Sequence, residues 1–171
     1  MLEDGGFVIT WHSQDQDGDD WGIFGQRFDS RGQINGTEFQ LNSTTRHAQQ
    51  SPAIQSISND VFLATWTSEC ENDQHMGQDI YSQRFDYDGG KIGTEFQVAT
   101  YNGAEQSFNS MDVLSCGKYV LTWCSGSEQS EYKGIYGRQF VVIDKPYNDI
   151  AADDPDDSGD NNGCMVDSLT K

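Results

Sequence analysis

The chain has 171 residues, of which 35% are hydrophobic and 12% aromatic, and its 28 acidic and 10 basic residues give a formal net charge of −18. This charge excludes nucleic acid as an electrostatic partner, because a polyanion would be repelled and no Lys/Arg cluster is present to neutralise phosphates. A membrane-spanning helix is also excluded, since the sequence has no run of about 18 apolar residues. The length is sufficient for one domain with a hydrophobic core.

Three copies of one pattern organise the first 143 residues. Phe-Val-Ile-Thr-Trp at 7–11 recurs as Phe-Leu-Ala-Thr-Trp at 62–66 and as Tyr-Val-Leu-Thr-Trp at 119–123. Further blocks repeat in the same order: 23–28 with 80–85 and 135–140, 36–40 with 93–97, and 48–51 with 104–107. Several matched blocks in fixed order predict units of about 55 residues. We place the units at about 5–60, 61–117 and 118–143, in a β-repeat domain that spans 1–143.

Each block predicts a β-strand, because it is short, rich in β-branched and aromatic residues, and alternates with period two. In the first block, Phe7, Ile9 and Trp11 share one face, and Val8 and Thr10 share the other. Both faces are moderately apolar, which is expected where sheets stack on both sides. Four such strands per unit predict an all-β fold of repeated four-stranded antiparallel units, arranged like β-propeller blades in an incomplete ring.

The chain ends in a compositionally distinct segment, 144–171, which contains eight Asp and two Lys. We predict an acidic, irregular and solvated tail here. The first residues lack the basic and apolar regions of a signal peptide, so the chain is expected to be either cytosolic or a piece of a longer protein. The incomplete repeats favour the piece.

The connection after the first block carries Asp15, Asp17, Asp19 and Asp20 around Gly18. Alternating aspartates can direct hard oxygen ligands at one point, as calcium requires, and glycine allows a tight turn. The sequence therefore predicts one calcium site in this loop. The alternative is a solvated acidic hairpin whose Asp and Gly residues serve the turn.

The tryptophans fall into two groups. Trp11, Trp66 and Trp123 occupy the same position in each unit, which favours packing in the core. Trp21 occurs only in the first unit, so it is the better candidate for an exposed contact with a sugar ring.

Catalysis has little support in the sequence. His12, His47 and His75 lie at unrelated repeat positions, so no repeated arrangement of nucleophile and base is visible. Paired carboxylates could hydrolyse glycosides. Chance pairs are expected among 28 acidic residues, however, and no motif selects one. We predict that the protein is not an enzyme.

Two sequons flank the Gly-Thr-Glu-Phe-Gln block of the first unit. They begin at Asn35 and Asn42. In a secreted eukaryotic protein, either asparagine could carry a glycan that keeps this edge in solvent.

The run at 5–29, with Gly-Gly-Phe-Val-Ile-Thr-Trp, Gln-Asp-Gln-Asp-Gly-Asp and Gly-Ile-Phe-Gly-Gln-Arg-Phe-Asp, resembles a repeat of very large secreted bacterial surface proteins. These are adhesins of the type that also carry calcium-binding nonapeptides. Their repeats have sequences close to GGFVVTWQS, QDGDG, GIYGQRFD and EFQVNT. The resemblance covers residues 5 to 140. It implies a propeller-like or stacked β-repeat in a secreted or cell-surface protein.

We therefore expect a non-enzymatic structural or adhesive repeat that forms part of a surface assembly or filament and is stabilised by stacking and by calcium. Self-association, or association with other chains of the same assembly, is expected because the ends of a three-unit stack expose apolar faces and strand edges. One alternative is a calcium-assisted lectin that uses Asp15, its neighbouring aspartates and Trp21. A glycosidase fragment is a further alternative.

Overall fold

The computed structural model describes residues 2, 4–58, 61–72, 75–99, 104–114, 118–127 and 133–141. Every helix or strand assigned in these ranges is a β-strand. The strands are β1 (Phe7–Gln14), β2 (Trp21–Phe28), β3 (Phe39–Gln40), β4 (Gln49–Ser56), β5 (Val61–Asn72), β6 (His75–Asp86), β7 (Lys91–Gln97), β8 (Ala104–Val113), β9 (Lys118–Ser127) and β10 (Lys133–Val141). The acidic tail expected at 144–171 lies outside the described residues.

The strands form three antiparallel sheets. The first sheet has the order β1-β2-β3, the second β4-β5-β6-β7 and the third β10-β9-β8. The predicted all-β antiparallel fold is thus confirmed, although among the described residues only the second sheet has four strands. The repeat pattern places β4 in the first unit, but β4 pairs with β5 and belongs to the second sheet. The described part of the chain contains no helix that is long and apolar enough to cross a membrane.

The repeat is also visible in the side-chain packing. Each sheet contains a parallel-stacked aromatic pair, which joins the start of its Trp-containing strand to the end of the strand that follows it. The pairs are Phe7 with Phe28 at 5.3 Å, Phe62 with Phe85 at 5.1 Å, and Tyr119 with Phe140 at 5.2 Å between ring centroids. The three sheets are therefore structural copies of one unit.

The structure shifts one of the sequence repeats by one residue. The sequence aligns 48–51 with 104–107, which would pair Gln50 with Gln106. In the sheets, however, Gln49 lies opposite Ser68 and Gln106 lies opposite Ser125, and these two serines are equivalent. Gln49 is therefore the counterpart of Gln106, and both side chains are buried. A register shift follows in each strand, at equivalent positions.

Two apolar clusters hold the three sheets together. The first, between the first and second sheets, contains Ile23, Leu41, Phe62, Ala64, Trp66 and Phe85. The second, between the second and third sheets, contains Ile57, Leu63, Ile80, Val98, Ala99, Tyr119, Leu121 and Trp123. Strand β5 contributes alternate residues to both clusters, so both of its faces are buried, whereas Phe7 and Ile9 of β1, the strand for which the sequence indicated sheets on both sides, are exposed.

The core assignment of the repeated tryptophans is confirmed for Trp66 and Trp123, which are both buried. Trp11 is only half-buried. Its face of β1 has no neighbouring sheet within the described residues, so the same motif that is core in the second and third sheets is partly open in the first.

Candidate functional site

The acidic loop between β1 and β2 is a closed turn. The backbone nitrogen of Asp15 donates to the carbonyl oxygen of Asp20 at 2.7 Å, and Asp15 has a left-handed φ of 59°. Aspartate tolerates this conformation better than most residues. The loop residues therefore serve the turn directly, as one of the two sequence interpretations expected.

Within this loop, the Asp17 side chain folds back toward the sheet. Its Oδ2 accepts hydrogen bonds from Gln40 Nε2 at 3.1 Å and from Asn42 Nδ2 at 3.2 Å. A Cβ atom on Gly22 would lie 2.3 Å from this oxygen. The Asp17 carboxylate therefore occupies space that any side chain at position 22 would fill.

Asn42 connects this carboxylate to the core. Its Oδ1 accepts from the backbone nitrogen of Ile23 at 2.9 Å, and its Nδ2 donates to Gln49 Oε1 at 2.9 Å. Gln49 Nε2 in turn donates to the carbonyl oxygens of Arg46 and His47 at 2.8 and 3.0 Å. We call Asp17, Gln40, Asn42 and Gln49 the acid–amide cluster; it fastens the loops at this end of the first sheet to β4.

The two sequons differ in their surroundings. Asn42 is 1% exposed and its side-chain amide is engaged in the acid–amide cluster, so a glycan there would require those bonds to break. Asn35 lies in the turn between β2 and β3 and is half-buried. Of the two predicted acceptors, only Asn35 is compatible with the folded chain.

Trp21 is half-buried at the start of β2, and its ring packs edge-on against His12 at 5.0 Å between centroids. Successive residues of a strand point to opposite faces. Trp21 therefore lies on the opposite face of β2 from the position at Gly22 that the Asp17 carboxylate fills. The lectin alternative joined the loop and Trp21 in one site, and the structure places the Asp17 carboxylate and Trp21 on different faces of β2.

The four aspartates of the loop do not converge. Asp17 binds two amides, Asp19 Oδ2 accepts from the backbone nitrogen of His47 at 3.1 Å, and Asp15 and Asp20 are exposed. In the ranges that the structure describes, no three His, Cys, Asp or Glu residues are grouped so that they could hold a metal ion. Calcium therefore stays a prediction, which thermal melts in calcium and in EDTA would test.

The second sheet has a carboxylate at the matching place, which the sequence analysis did not identify. Asp79 occupies the repeat position of Gly22 and is buried. The backbone nitrogen of the next residue, Ile80, donates to Gln106 Oε1 at 3.3 Å, much as Ile23 donates to an amide oxygen in the first sheet. The aligned blocks 23–28 and 80–85 could have revealed this match, because Gly22 directly precedes the first block and Asp79 directly precedes the second.

At the other end of the first sheet, Arg27 contacts two carboxylates and an aromatic ring, while its Nε atom is buried without a hydrogen-bond partner among the described residues. Its guanidinium lies 2.8 Å from Asp4, 3.5 Å from Asp88 and 3.7 Å from the centre of the Tyr87 ring. Hydrogen bonds from the Tyr87 hydroxyl and from the backbone nitrogen of Gly6 lower the pKa of Asp4. The same hydrogen bond to Asp4 raises the pKa of Tyr87.

Arg84 is the repeat counterpart of Arg27, but its surroundings are open. It lines a cavity of about 430 Å³ together with Phe96, Tyr119 and Val141, and with residues 92–94 of β7. The guanidinium of Arg84 has no ion pair with any described residue. Burial raises the pKa of Tyr119, and the Arg84 charge acts in the opposite direction. The Tyr119 hydroxyl is therefore protonated at neutral pH and can donate a hydrogen bond.

The cavity is lined by two aromatic residues, Phe96 and Tyr119, and by the Arg84 guanidinium. Its volume falls within the roughly 300–1,000 Å³ of typical ligand pockets, and it combines aromatic walls with a few polar groups. The sequence does not single out this cavity, because Arg84 belongs to a Gln-Arg pair that occurs in both aligned blocks, 23–28 and 80–85. Only the packing of the second sheet against the third shows that Arg84 and Arg27 differ.

No protein-family model matches this chain, and no curated protein matches it. Among solved structures, an endo-arabinase from Bacteroides thetaiotaomicron is similar, with a TM-score of 0.55 at 10% sequence identity. The alignment covers 84% of this chain and 54% of the endo-arabinase. The chain thus spans about half the length of that enzyme, and at this identity the similarity is one of fold.

This similarity corrects one prediction from the sequence. The absence of a catalytic motif led us to predict a protein that is not an enzyme. The architecture of this chain is nevertheless shared with a glycosidase. The prediction was wrong as an exclusion, because it rested on the absence of a local motif. Sites built from several strands leave no such motif in the sequence.

Proposed function

We propose that this chain is a propeller-type segment of a secreted or cell-surface adhesive protein, and that it binds carbohydrate in the Arg84 cavity. The observation that carries the proposal is the cavity of about 430 Å³ between the second and third sheets, in which a guanidinium without a described ion pair faces aromatic walls. Self-association or association with other chains would build the wider assembly.

The chemistry of this cavity suits a sugar. Aromatic rings such as Phe96 pack against the apolar face of a pyranose, while a guanidinium and a phenol hydroxyl bind its hydroxyl oxygens. A carboxylate-bearing sugar would bind most tightly, because its carboxylate can pair with Arg84 as two carboxylates pair with Arg27 at the equivalent position of the first sheet. The endo-arabinase with a similar fold is, as its name says, a protein that acts on a carbohydrate.

The propeller arrangement is supported by how the sheets pack. The sheets stack face to face through the two apolar clusters. The first strand of the second sheet, β4, contacts β1 and β2 of the first sheet and also contacts β8, the equivalent strand of the third sheet. Contacts between equivalent edge strands of successive sheets are expected where those strands surround a common axis.

A glycan array with matched variants tests the proposed site. Arg84→Gln should lose binding, whereas Arg46→Gln, in an exposed loop, should retain it. Trp21→Ala and Asp17→Asn test the hairpin site that the sequence predicted. Parallel arrays in millimolar calcium and in EDTA separate calcium-dependent from calcium-independent binding. Loss of binding with Trp21→Ala but not with Arg84→Gln would overturn the cavity assignment, and no binding to any glycan would refute the function.

Glycoside hydrolysis is a second candidate, favoured by the fold shared with an endo-arabinase and by the equivalent carboxylates of Asp17 and Asp79. Hydrolysis with two carboxylates requires them on either side of one glycosidic bond. Release of reducing ends from arabinan, and of fluorophore from aryl glycosides, would be measured for the unaltered chain, Asp17→Asn and Asp79→Asn. Turnover that falls in both variants supports this candidate. Turnover that is equal in all three chains, or absent, counts against it.

A further inference from the structure

The two ends of the sheet stack expose residues that are buried everywhere else in the repeat. We define the trailing face of a sheet by the first, third and fifth residues of its Phe-Val-Ile-Thr-Trp motif. The leading face is the opposite one, which carries Ile23, Ile80 or Ile135 on the next strand. Inside the stack, each leading face packs on the trailing face of the following sheet through one of the two apolar clusters.

The leading face of the third sheet is open. Ile135 is 83% exposed, whereas its counterparts Ile23 and Ile80 are both 0% exposed. The latter two isoleucines are buried because the next sheet covers them. Ile135 therefore belongs to a surface that is built as an inter-sheet contact, and no sheet covers it in the described structure.

The trailing face of the first sheet is open as well. Ile9 is 47% exposed and Phe7 is 37% exposed. Their counterparts in the third sheet, Leu121 and Tyr119, are 1% and 4% exposed because the second sheet covers them. Within the described residues, one end of the sheet stack thus presents an uncovered leading face and the other an uncovered trailing face.

We propose that a second copy of this chain docks head to tail, with the trailing face of its first sheet on the leading face of the third sheet. Such docking would continue an interface that the chain already forms twice between its own successive sheets. Both internal contacts join a leading face to a trailing face, and neither joins two faces of one kind. The free ends repeat those two kinds of face, so the docking is heterologous and generates a ring or a filament.

The net charge sets the conditions under which this docking occurs. A chain of formal charge −18 repels its own copies, and salt screens that repulsion while leaving apolar contact intact. The docked form therefore becomes more abundant as ionic strength rises above about 0.1 M. An association driven by ion pairs would weaken instead.

Light scattering on two complementary variants tests the proposal. Ile9→Asp places a charge on the trailing face of the first sheet, and Ile135→Asp places one on the leading face of the third. Each is expected to weaken association about a hundredfold, because it leaves an unpaired charge in an apolar contact. Thr44→Asp is the control, since Thr44 is exposed and lies in the loop between β3 and β4, which joins the first sheet to the second, outside both end faces.

Head-to-tail docking predicts a specific result on mixing. The unaltered chain and Thr44→Asp assemble, and each end-face variant alone is monomeric. An equimolar mixture of the two end-face variants forms dimers, because Ile9→Asp keeps an intact leading face and Ile135→Asp keeps an intact trailing face. Circular dichroism should show that all variants are folded, since both positions are exposed in the single chain.

Several outcomes would overturn the proposal. These are an unaltered chain that stays monomeric at rising concentration and salt, an end-face variant that still assembles alone, and a mixture that stays monomeric. The measured quantity is molar mass and not glycan binding, so this inference and the proposed glycan site succeed or fail independently.

Discussion

Gly22 should be difficult to replace mainly because of Asp17. In the structure, a Cβ atom at position 22 would lie 2.3 Å from Oδ2 and 2.7 Å from Cγ of Asp17. Gly22 does not have a positive φ, so alanine suits its backbone. The same Cβ atom would lie 3.1 Å from Cε2 of Phe24, a milder contact, so Gly22→Ala acts mainly by expelling the carboxylate from its place beside Gln40 and Asn42.

The magnitude follows from the bonds that are lost. Oδ2 of Asp17 accepts one hydrogen bond from Gln40 and one from Asn42. Hydrogen bonds to a charged group contribute about 1.5–3 kcal/mol when shielded. Asp17 is half-buried, so solvent screening reduces this contribution. We expect Gly22→Ala to lower the free energy of unfolding by about 1–3 kcal/mol in total.

A double-mutant cycle isolates this effect, with unfolding in urea followed by circular dichroism. Asp17→Ala should cost a similar amount, and Gly22→Ala made in that variant should cost little more, because the space is then free. Gly137→Ala is the control: its Cβ would make only an ordinary contact of 3.4 Å with Thr122. A cost of Gly22→Ala that is the same with and without Asp17 would refute the reasoning.

Three further predictions concern stability. Ile80→Ala should lower the free energy of unfolding by about 2–5 kcal/mol, because Ile80 is buried. The repeat-equivalent Ile135→Ala should change it by less than about 0.5 kcal/mol in the monomer, because Ile135 is exposed. Urea titrations of both variants would show whether this difference exists. Asn42→Ala should cost about 2–4 kcal/mol, since it leaves buried partners unsatisfied, and an unchanged urea midpoint would contradict this. The lowered pKa of Asp4 means that its pairing stabilises the fold at neutral pH and that this contribution is lost as the pH falls below the ordinary value of 3.8. The pH profile of unfolding should therefore be shallower in Asp4→Asn over that acidic range.

The repeats make the strands of this protein predictable. The motif at 62–66 alternates Phe62, Ala64 and Trp66 with Leu63 and Thr65, and it forms part of a strand buried on both faces. Period-two alternation and β-branched residues are local properties, so they can be read without knowing the partners of a strand. The same is true of the core role of Trp66 and Trp123.

The grouping of strands into sheets could not be derived in this way. The repeat frame places β4 with the strands before it, whereas hydrogen bonding places it with β5. The frame also aligned Gln50 with Gln106, although Gln49 is the residue that lies opposite the equivalent serine. Sequence similarity records which residues share ancestry or composition, but pairing depends on edge hydrogen bonds and on the register shift within the strand.

The features of the candidate site also separate into those that the sequence determines and those that depend on tertiary structure. The sequence determined the strands, the acidic loop with Asp17 and the repeated arginines, because each of these is a property of a short segment. Tertiary structure alone decided that Asp17 turns inward over Gly22, and that Arg27 is covered by carboxylates while Arg84 opens into a cavity. It also decided that Ile135 is exposed where Ile80 is buried. Identical repeat positions acquire different roles because burial and pairing depend on the neighbouring sheet, and the end sheets of a stack have one fewer neighbour.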